Sequence, residues 1–153
     1  MKKLLVIALL AFGVKYFYFD GHYSASTYAS TDWFDGAHQL EAATRLARDN
    51  KAPLLVYVYA DWCGYCKKFE KELLYTSQIS ADLKHVVKVR MNPDKDGLAK
   101  AFEKENALTG YPTVLLKSTA DTSFKQVFPF TRGSTLMSAN EFASSVRGRD
   151  LML

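Results

Sequence analysis

Between Leu54 and Leu74 the chain passes from a strand pattern to a helix pattern, and its only two cysteines fall at the switch. Leu54 to Tyr59 is an unbroken apolar run rich in β-branched and aromatic residues, which predicts a buried strand. Beyond it, Phe69, Leu73 and Leu74 recur among charges, which predicts an amphipathic helix from Cys63 to about Tyr75. The sequence Trp62-Cys63-Gly64-Tyr65-Cys66 therefore sits where a strand hands over to the first turn of a helix. Helix N-termini carry unpaired N–H groups and a partial positive charge. That field favours a thiolate over a thiol, and the thiolate is the nucleophile.

Cys66, Phe69 and Leu73 follow i, i+3, i+7 spacing, so Cys66 is expected on the core-facing side, with Cys63 exposed at the helix start. This division makes Cys63 the attacking thiol and Cys66 the one that resolves a mixed disulfide. An inert structural bridge and half a zinc site are the alternatives. Zinc wants four ligands. The chain has no third cysteine, and His22, His38 and His85 are far apart. No metal and no cofactor are expected, since the cysteines themselves carry the electrons. Glu70 follows Cys66 by four residues and Cys63 by seven, on the same helical side as both. A partly buried carboxylate there, with a raised pKa, would shuttle the proton of Cys66. The alternative is a solvated surface glutamate in the charged run Lys67, Lys68, Lys71, Glu72.

The run Tyr59-Ala60-Asp61-Trp62-Cys63-x-x-Cys66-Lys67-x-Phe69-Glu70-Lys71, with Gly110-Tyr111-Pro112-Thr113 downstream, resembles the thioredoxin superfamily. Within it, the chain resembles the C-terminal thioredoxin-like domain of the bacterial thiol:disulfide interchange protein DsbD, over about residues 35 to 147. The resemblance implies a cis-proline at Pro112 beside the cysteine pair. It also implies a backbone at Tyr111 that pairs with a bound substrate strand. A strand-starting proline is the alternative for Pro112. Two positions depart from the family. Thioredoxins commonly bury an aspartate six residues before the first cysteine, where this chain has Tyr57. A tyrosine, with a pKa of about 10, cannot serve as a carboxylate base at neutral pH, which leaves that role to Glu70. The dipeptide Gly64-Tyr65 replaces the Gly-Pro of ordinary thioredoxins and is the pair found in disulfide isomerases of the DsbC type.

Charge excludes one class of partner. The net charge is +4, of which +2 belongs to residues 1–26, and the remainder shows no Lys/Arg stripe of the kind nucleic acid requires. Met1-Lys2-Lys3 followed by Leu4 to Val14 has the pattern of an export signal. The apolar run stops at Lys15 and resumes over Tyr16 to Phe19, so residues 4–19 are alternatively a membrane anchor, short of the about 20 apolar residues that span a bilayer. Residues 1–26 are accordingly expected to be an export signal or anchor plus linker, and residues 27–153 a thioredoxin-like domain. That places the protein in the periplasm, free or anchored facing it. Having no spare thiols suits an oxidising compartment.

The remaining pattern predicts a helix over about Trp33 to Asp49 capped by Thr31 or Asp32, and a short helical turn from Thr76 or Ser77 to Leu83. A strand over His85 to Met91 follows, with His85 structural. Asn92 to Gly97 reads as a turn cluster, and Leu98 to Asn106 as a helix with Leu98, Ala101 and Phe102 on its apolar side. Strands are expected over Thr113 to Lys117 and, as an edge, Phe124 to Phe130. The last helix covers about Ser138 to Val146. Alternating helices and strands closing on a hairpin predict an α/β fold. Together with the resemblance this means a thioredoxin fold, with a mixed sheet of about four to five strands covered on both faces.

The function expected from all this is thiol:disulfide exchange with exported proteins, in the reducing direction. Electrons would come from a membrane or thioredoxin-type donor, and the chain would act as a monomer. Cys63, Cys66 and Glu70 carry the chemistry; Trp62, Gly64, Tyr65, Tyr111 and Pro112 form the substrate surface, with Trp62 alternatively a packing residue. Disulfide isomerase, oxidase, a peptide-binding module without turnover, and copper delivery through the two thiols are the competing functions.

Overall fold

The computed structural model describes residues 28–119, 121–131 and 134–147. The leader at 1–26 and the tail at 150–153 lie outside the described residues. Among the described residues no helix is long and apolar enough to cross a membrane.

Five strands form one sheet in the order β1-β3-β2-β4-β5. These are β1 (Phe34–Asp35), β2 (Leu54–Val58), β3 (Val87–Met91), β4 (Thr113–Lys117) and β5 (Lys125–Val127). β1 and β2 run parallel to β3, while β4 is antiparallel to both β2 and β5. β2 is central, and all five of its residues are buried. This is why its sequence is continuously apolar rather than alternating: both faces are covered.

The two faces have different contents. Leu55 and Tyr57 of β2, with Val114 and Leu116 of β4, meet Phe69, Leu73, Ile79 and Phe142. Those residues come from the cysteine-bearing helix α2 (Gly64–Phe69) and its continuation, from α3 (Ser77–Asp82), and from α5 (Ala139–Arg147). Leu54, Val56 and Val58 point the other way, onto Ala43, Ala47, Ala99 and Phe102. These belong to α1 (Leu40–Asp49) and α4 (Gly97–Glu105). Phe69 sits edge-on between Tyr57 and Phe142, with ring centroids 5.6 and 5.5 Å away. Burying one such ring contributes roughly 1.5–3 kcal/mol.

Several expected boundaries move. The helix expected from Trp33 begins only at Leu40, after a 3₁₀ turn at Ala37–Gln39. Phe34 instead pairs with Val89 as the edge strand β1, and Gly36, at φ 92°, turns the chain out of it. A side chain at Gly36 would strike the His38 ring, so the left-handed turn suits glycine twice over. Neither Thr31 nor Asp32 caps a helix; Asp32 bonds locally with Ser30. β3 starts at Val87 rather than His85, whose Nδ1 is 2.8 Å from the Tyr28 carbonyl oxygen. α4 buries Ala99 and Phe102, while Leu98 and Ala101 face solvent. Asp96 caps that helix, accepting from the Leu98 and Ala99 N–H groups, and this sets its phase. β5 covers only three of the seven residues expected. Pro129 has no N–H to continue the ladder, and Phe128 turns out to solvent.

Candidate active site

Cys63 is the N-cap of α2. Its backbone is extended, and its sulfur accepts a hydrogen bond from the Cys66 N–H at 3.1 Å. The Cys63 sulfur thus takes the place that a serine or aspartate oxygen takes in an ordinary cap. Cys66 lies one turn in, and both thiols are free. The expected split into an exposed and a sheltered cysteine does not hold in the form stated. Cys63 is 4% exposed and Cys66 1%, because Ala60, Tyr59 and Tyr111 pack over both. What separates the two is polarity: Cys63 receives a helix N–H, whereas burial, followed by the neighbouring Cys63, pushes the Cys66 thiol up to about 12.

After Phe69 the helix widens into a π turn, Glu70–Leu74, closed by a bond from the Tyr75 N–H to the Glu70 carbonyl at 3.1 Å. Such turns often mark functional sites. Glu70 is half-buried on the sheet side of this turn. Its Oε1 accepts a hydrogen bond of 2.9 Å from the Tyr57 hydroxyl. Burial first, then the charges of Cys66 and Glu70, push the phenol well above its ordinary range.

The Tyr111–Pro112 peptide bond is cis and lies beside the cysteines. Tyr111 is anchored by its hydroxyl on Glu103, which Lys100 holds from the other side at 2.5 Å. Trp62 is 72% exposed, so it does not pack in the core. Its indole N–H donates to Asp94 at 2.7 Å, and its ring meets Tyr111 edge-on at 6.0 Å. Asp61, next to it, is paired with Lys95 and accepts from the Asn92 amide at 3.0 Å. The turn Asn92–Gly97, uninformative in sequence, therefore braces the loop before the cysteines. On the other flank, Tyr65 meets Phe130 at 5.4 Å and its hydroxyl lies 3.0 Å from that of Ser134. An open groove of about 440 Å³ runs between Tyr65, Tyr111, Pro112, Phe128 and Phe130. Nothing stands within 4 Å of where a Gly64 side chain would be, so the backbone between the two cysteines borders open space. Among the described residues no three His, Cys, Asp or Glu side chains gather as metal ligands would.

Seven of the eight expected site residues thus surround one spot, while Glu70 instead accepts from Tyr57. Glu103, Asp94 and the phenylalanines after β5 were not expected there, and Tyr57, which stands at the family's buried-aspartate position, was given no role. Tyr57 had a signal in the sequence: it is a hydroxyl-bearing residue inside an otherwise apolar strand, on the side that faces the cysteine helix.

A sheet of this order, a strand-to-helix cysteine pair and a cis-proline loop define a class, and the comparisons agree with it. The chain belongs to the thioredoxin-like family, whose model matches residues 32–117, more than half of its length. Among curated proteins it is similar to the thiol:disulfide interchange protein DsbD of Escherichia coli strain K12, 31% identical over 98 residues. That match covers 63% of this chain and 17% of the relative. The Vibrio vulnificus DsbD is 39% identical over 49 residues, covering 32% of this chain and 8% of the relative. The chain therefore spans less than a fifth of either protein. Among solved structures, a thioredoxin from Thermus thermophilus superposes with TM-score 0.60 at 19% identity, covering 76% of this chain and 85% of that one. The reduced DsbD C-terminal domain of Neisseria meningitidis superposes with TM-score 0.58 at 18% identity, covering 76% and 98%. The fold is shared with both.

Proposed function

We propose that this protein is a thiol:disulfide oxidoreductase that reduces disulfides in exported proteins. The observation that carries this reading is the Cys63 sulfur seated on the N-terminus of α2, one turn from Cys66 and beside the cis Tyr111–Pro112 bond. In the forward direction the Cys63 thiolate attacks a substrate disulfide. One substrate sulfur leaves as a thiolate, and the other stays bound to Cys63 as a mixed disulfide. Cys66 loses its proton and attacks the Cys63 sulfur. The second substrate thiolate leaves, and a Cys63–Cys66 disulfide remains. Two electrons pass to the substrate, and a membrane or thioredoxin-type donor restores the dithiol. Trp62, Tyr65 and the groove beside Pro112 supply an aromatic seat for the substrate chain, with open space at Gly64 beside it. The leader at 1–26 would deliver the domain to the periplasm, cleaved or as an anchor.

Cys63→Ser is expected to abolish exchange with glutathione and with protein disulfides. Cys66→Ser is expected to accumulate the mixed disulfide, visible as a mass adduct. A Cys63–Cys66 potential of roughly −270 mV supports the reducing direction. One of roughly −120 mV would reverse it. If Cys63→Ser leaves exchange intact, the reading is wrong; if the wild type binds a partner but never exchanges with it, a peptide-binding module replaces it.

A further inference from the structure

We propose that Glu103 is a positioning residue: by holding the Tyr111 hydroxyl it fixes the Tyr111 ring as a cover over the cysteine pair, and so restricts Cys63 to slender disulfide partners. This rests on the oxidoreductase reading above and names the substrate class of the same site, a cystine carried on an extended chain rather than one set in a bulky folded surface. Cys63 is only 4% exposed, although Trp62 before it and Gly64 after it are both exposed. What hides it is therefore packing from other parts of the chain. Tyr59 and Tyr111 are the partly buried side chains that pack against Ala60, Cys63 and Cys66. Tyr59 is fixed at the end of β2, where it stacks on Tyr57 at 5.4 Å. Tyr111 comes from the proline loop and packs on its other side against the core shared by α1 and α4. Its ring thus reaches across the end of the sheet, from the α4 face to the thiols.

The far end of that ring is tied down. The Tyr111 hydroxyl donates to Glu103 Oε1. The Glu103 side chain is only 14% exposed, and its other oxygen is held by Lys100 at 2.5 Å. The acceptor is thus fixed in its own right, and a hydrogen bond to an ionised acceptor is among the stronger ones. Trp62 braces the ring from a second side, edge-on at 6.0 Å, and is itself tied to Asp94 at 2.7 Å. Asp94 and Glu103 both belong to the turn and helix between β3 and β4. That segment sets how open the site is without supplying a thiol. A slender partner reaches the sulfur past the ring, whereas a bulky one has to break the Tyr111–Glu103 bond first. A phenylalanine at this position would keep the ring and lose its anchor.

Two maleimides of unequal bulk test the cover without knowledge of the natural substrate. In a Cys66→Ser background Cys63 is the only thiol of the chain. Its rates with N-ethylmaleimide and with pyrene maleimide are compared, and their ratio reads access. A change in the reactivity of the thiolate moves both rates alike and leaves the ratio where it was. Tyr111→Phe is expected to raise the bulky-to-small ratio roughly tenfold, the loosening that loss of one hydrogen bond to a charged group allows. Glu103→Leu is expected to do the same, and the double variant to go no further than either single one, because both cut one tether. Glu103→Gln keeps an oxygen that accepts from the hydroxyl and should stay near the wild-type ratio. With Cys66 in place, Glu103→Leu should shift the preference for insulin over oxidised glutathione upward, again about tenfold.

Wild-type ratios in Tyr111→Phe and Glu103→Leu overturn the proposal, and so do additive gains in the double variant. A Glu103→Gln protein that opens as far as Glu103→Leu rejects the tether, since the ring would then be held by the Lys100 pair and not by the hydroxyl bond. If Tyr111→Phe fails to fold, Glu103→Leu decides alone: an unchanged ratio rejects the cover. An unchanged preference between insulin and glutathione rejects the substrate class. A wild type that reacts with the maleimides but never exchanges with glutathione removes the oxidoreductase reading, and the substrate class with it; the maleimide ratio separates that failure from a failure of the cover.

Discussion

Lys88 and Tyr57 stand on neighbouring strands, on the same face of the sheet, and both carry a polar tip into a dry interior. Lys88, on β3, lies opposite Leu55, two residues before Tyr57 on β2. It is 2% exposed, and its ammonium donates to three backbone carbonyls: Ser30 at 2.7 Å, Val86 at 2.9 Å and Leu83 at 3.1 Å. Tyr57 has a side-chain partner instead, the Glu70 carboxylate. Backbone carbonyls do not change protonation near neutral pH, so Lys88 is a fixed staple. It ties the incoming chain at Ser30 to the turn after α3. A carboxylate can take up a proton, so the same kind of burial at Tyr57 sets the hydroxyl on a partner that can change its charge. What a buried polar group does is set by whether its partners can give or take a proton, more than by its own chemistry.

The widest test of this contrast is pH-dependent stability. Burial pushes the Lys88 ammonium down to about 8 from its ordinary 10.5. Its folded pKa is thus below its unfolded one, and between about pH 8 and 10.5 the unfolded chain holds the extra proton. Raising the pH through that window therefore favours the fold, by on the order of 3 kcal/mol at the top. Cys66 and the tyrosines, raised by burial, oppose this rise in the upper part of the window, so the stability difference between wild type and Lys88→Met in urea unfolding carries the test: it should shift in favour of the wild type as pH rises through the window, and a constant difference removes Lys88 as its source.

A smaller effect concerns the staple itself. Lys88→Met should raise hydrogen exchange at the Ser30 amide about tenfold, since the Ser30 N–H bond to the Lys84 carbonyl, 2.8 Å long, loses its neighbouring anchor. Disulfide exchange should be untouched, and a slowed exchange would mean that the two regions are not separate. The smallest effect is expected at Tyr57. Tyr57→Phe loses one hydrogen bond and should cost about 1 kcal/mol in urea unfolding. A much larger loss would make Tyr57 a staple as well, and the contrast would fail on that side.

Much of the site was legible because its signals are local. A thiol at a helix start, an apolar strand before it and i, i+3, i+7 spacing after it all lie within one short stretch, and local geometry follows local sequence. Pro112 was legible only through the family resemblance, since X-Pro bonds of either isomer look alike in sequence. The edge strand β1 was not legible at all. Two residues carry no period, and Trp33-Phe34 fits an amphipathic helix until β3 is present to pair with it. The exposure of Cys63 was misjudged for a related reason: Tyr111, which covers it, arrives from 48 residues away. Asp94 lies in the turn cluster and Glu103 in the helix after it, and only folding brings them to Trp62 and Tyr111.

Tyr57 marks the boundary most sharply. Sequence alone determined the helix-start cysteine pair, the buried strand before it, the carboxylate one turn beyond and the absence of an aspartate where the family commonly keeps one. Each follows from residue type and spacing along a single element. Tertiary structure decided that the tyrosine in the aspartate's place donates to that carboxylate. The physical reason is that hydrogen bonding is short-ranged and directional. Whether β2 and the π turn stand close enough for a 2.9 Å bond depends on how Phe69, Leu73 and Phe142 pack between sheet and helices.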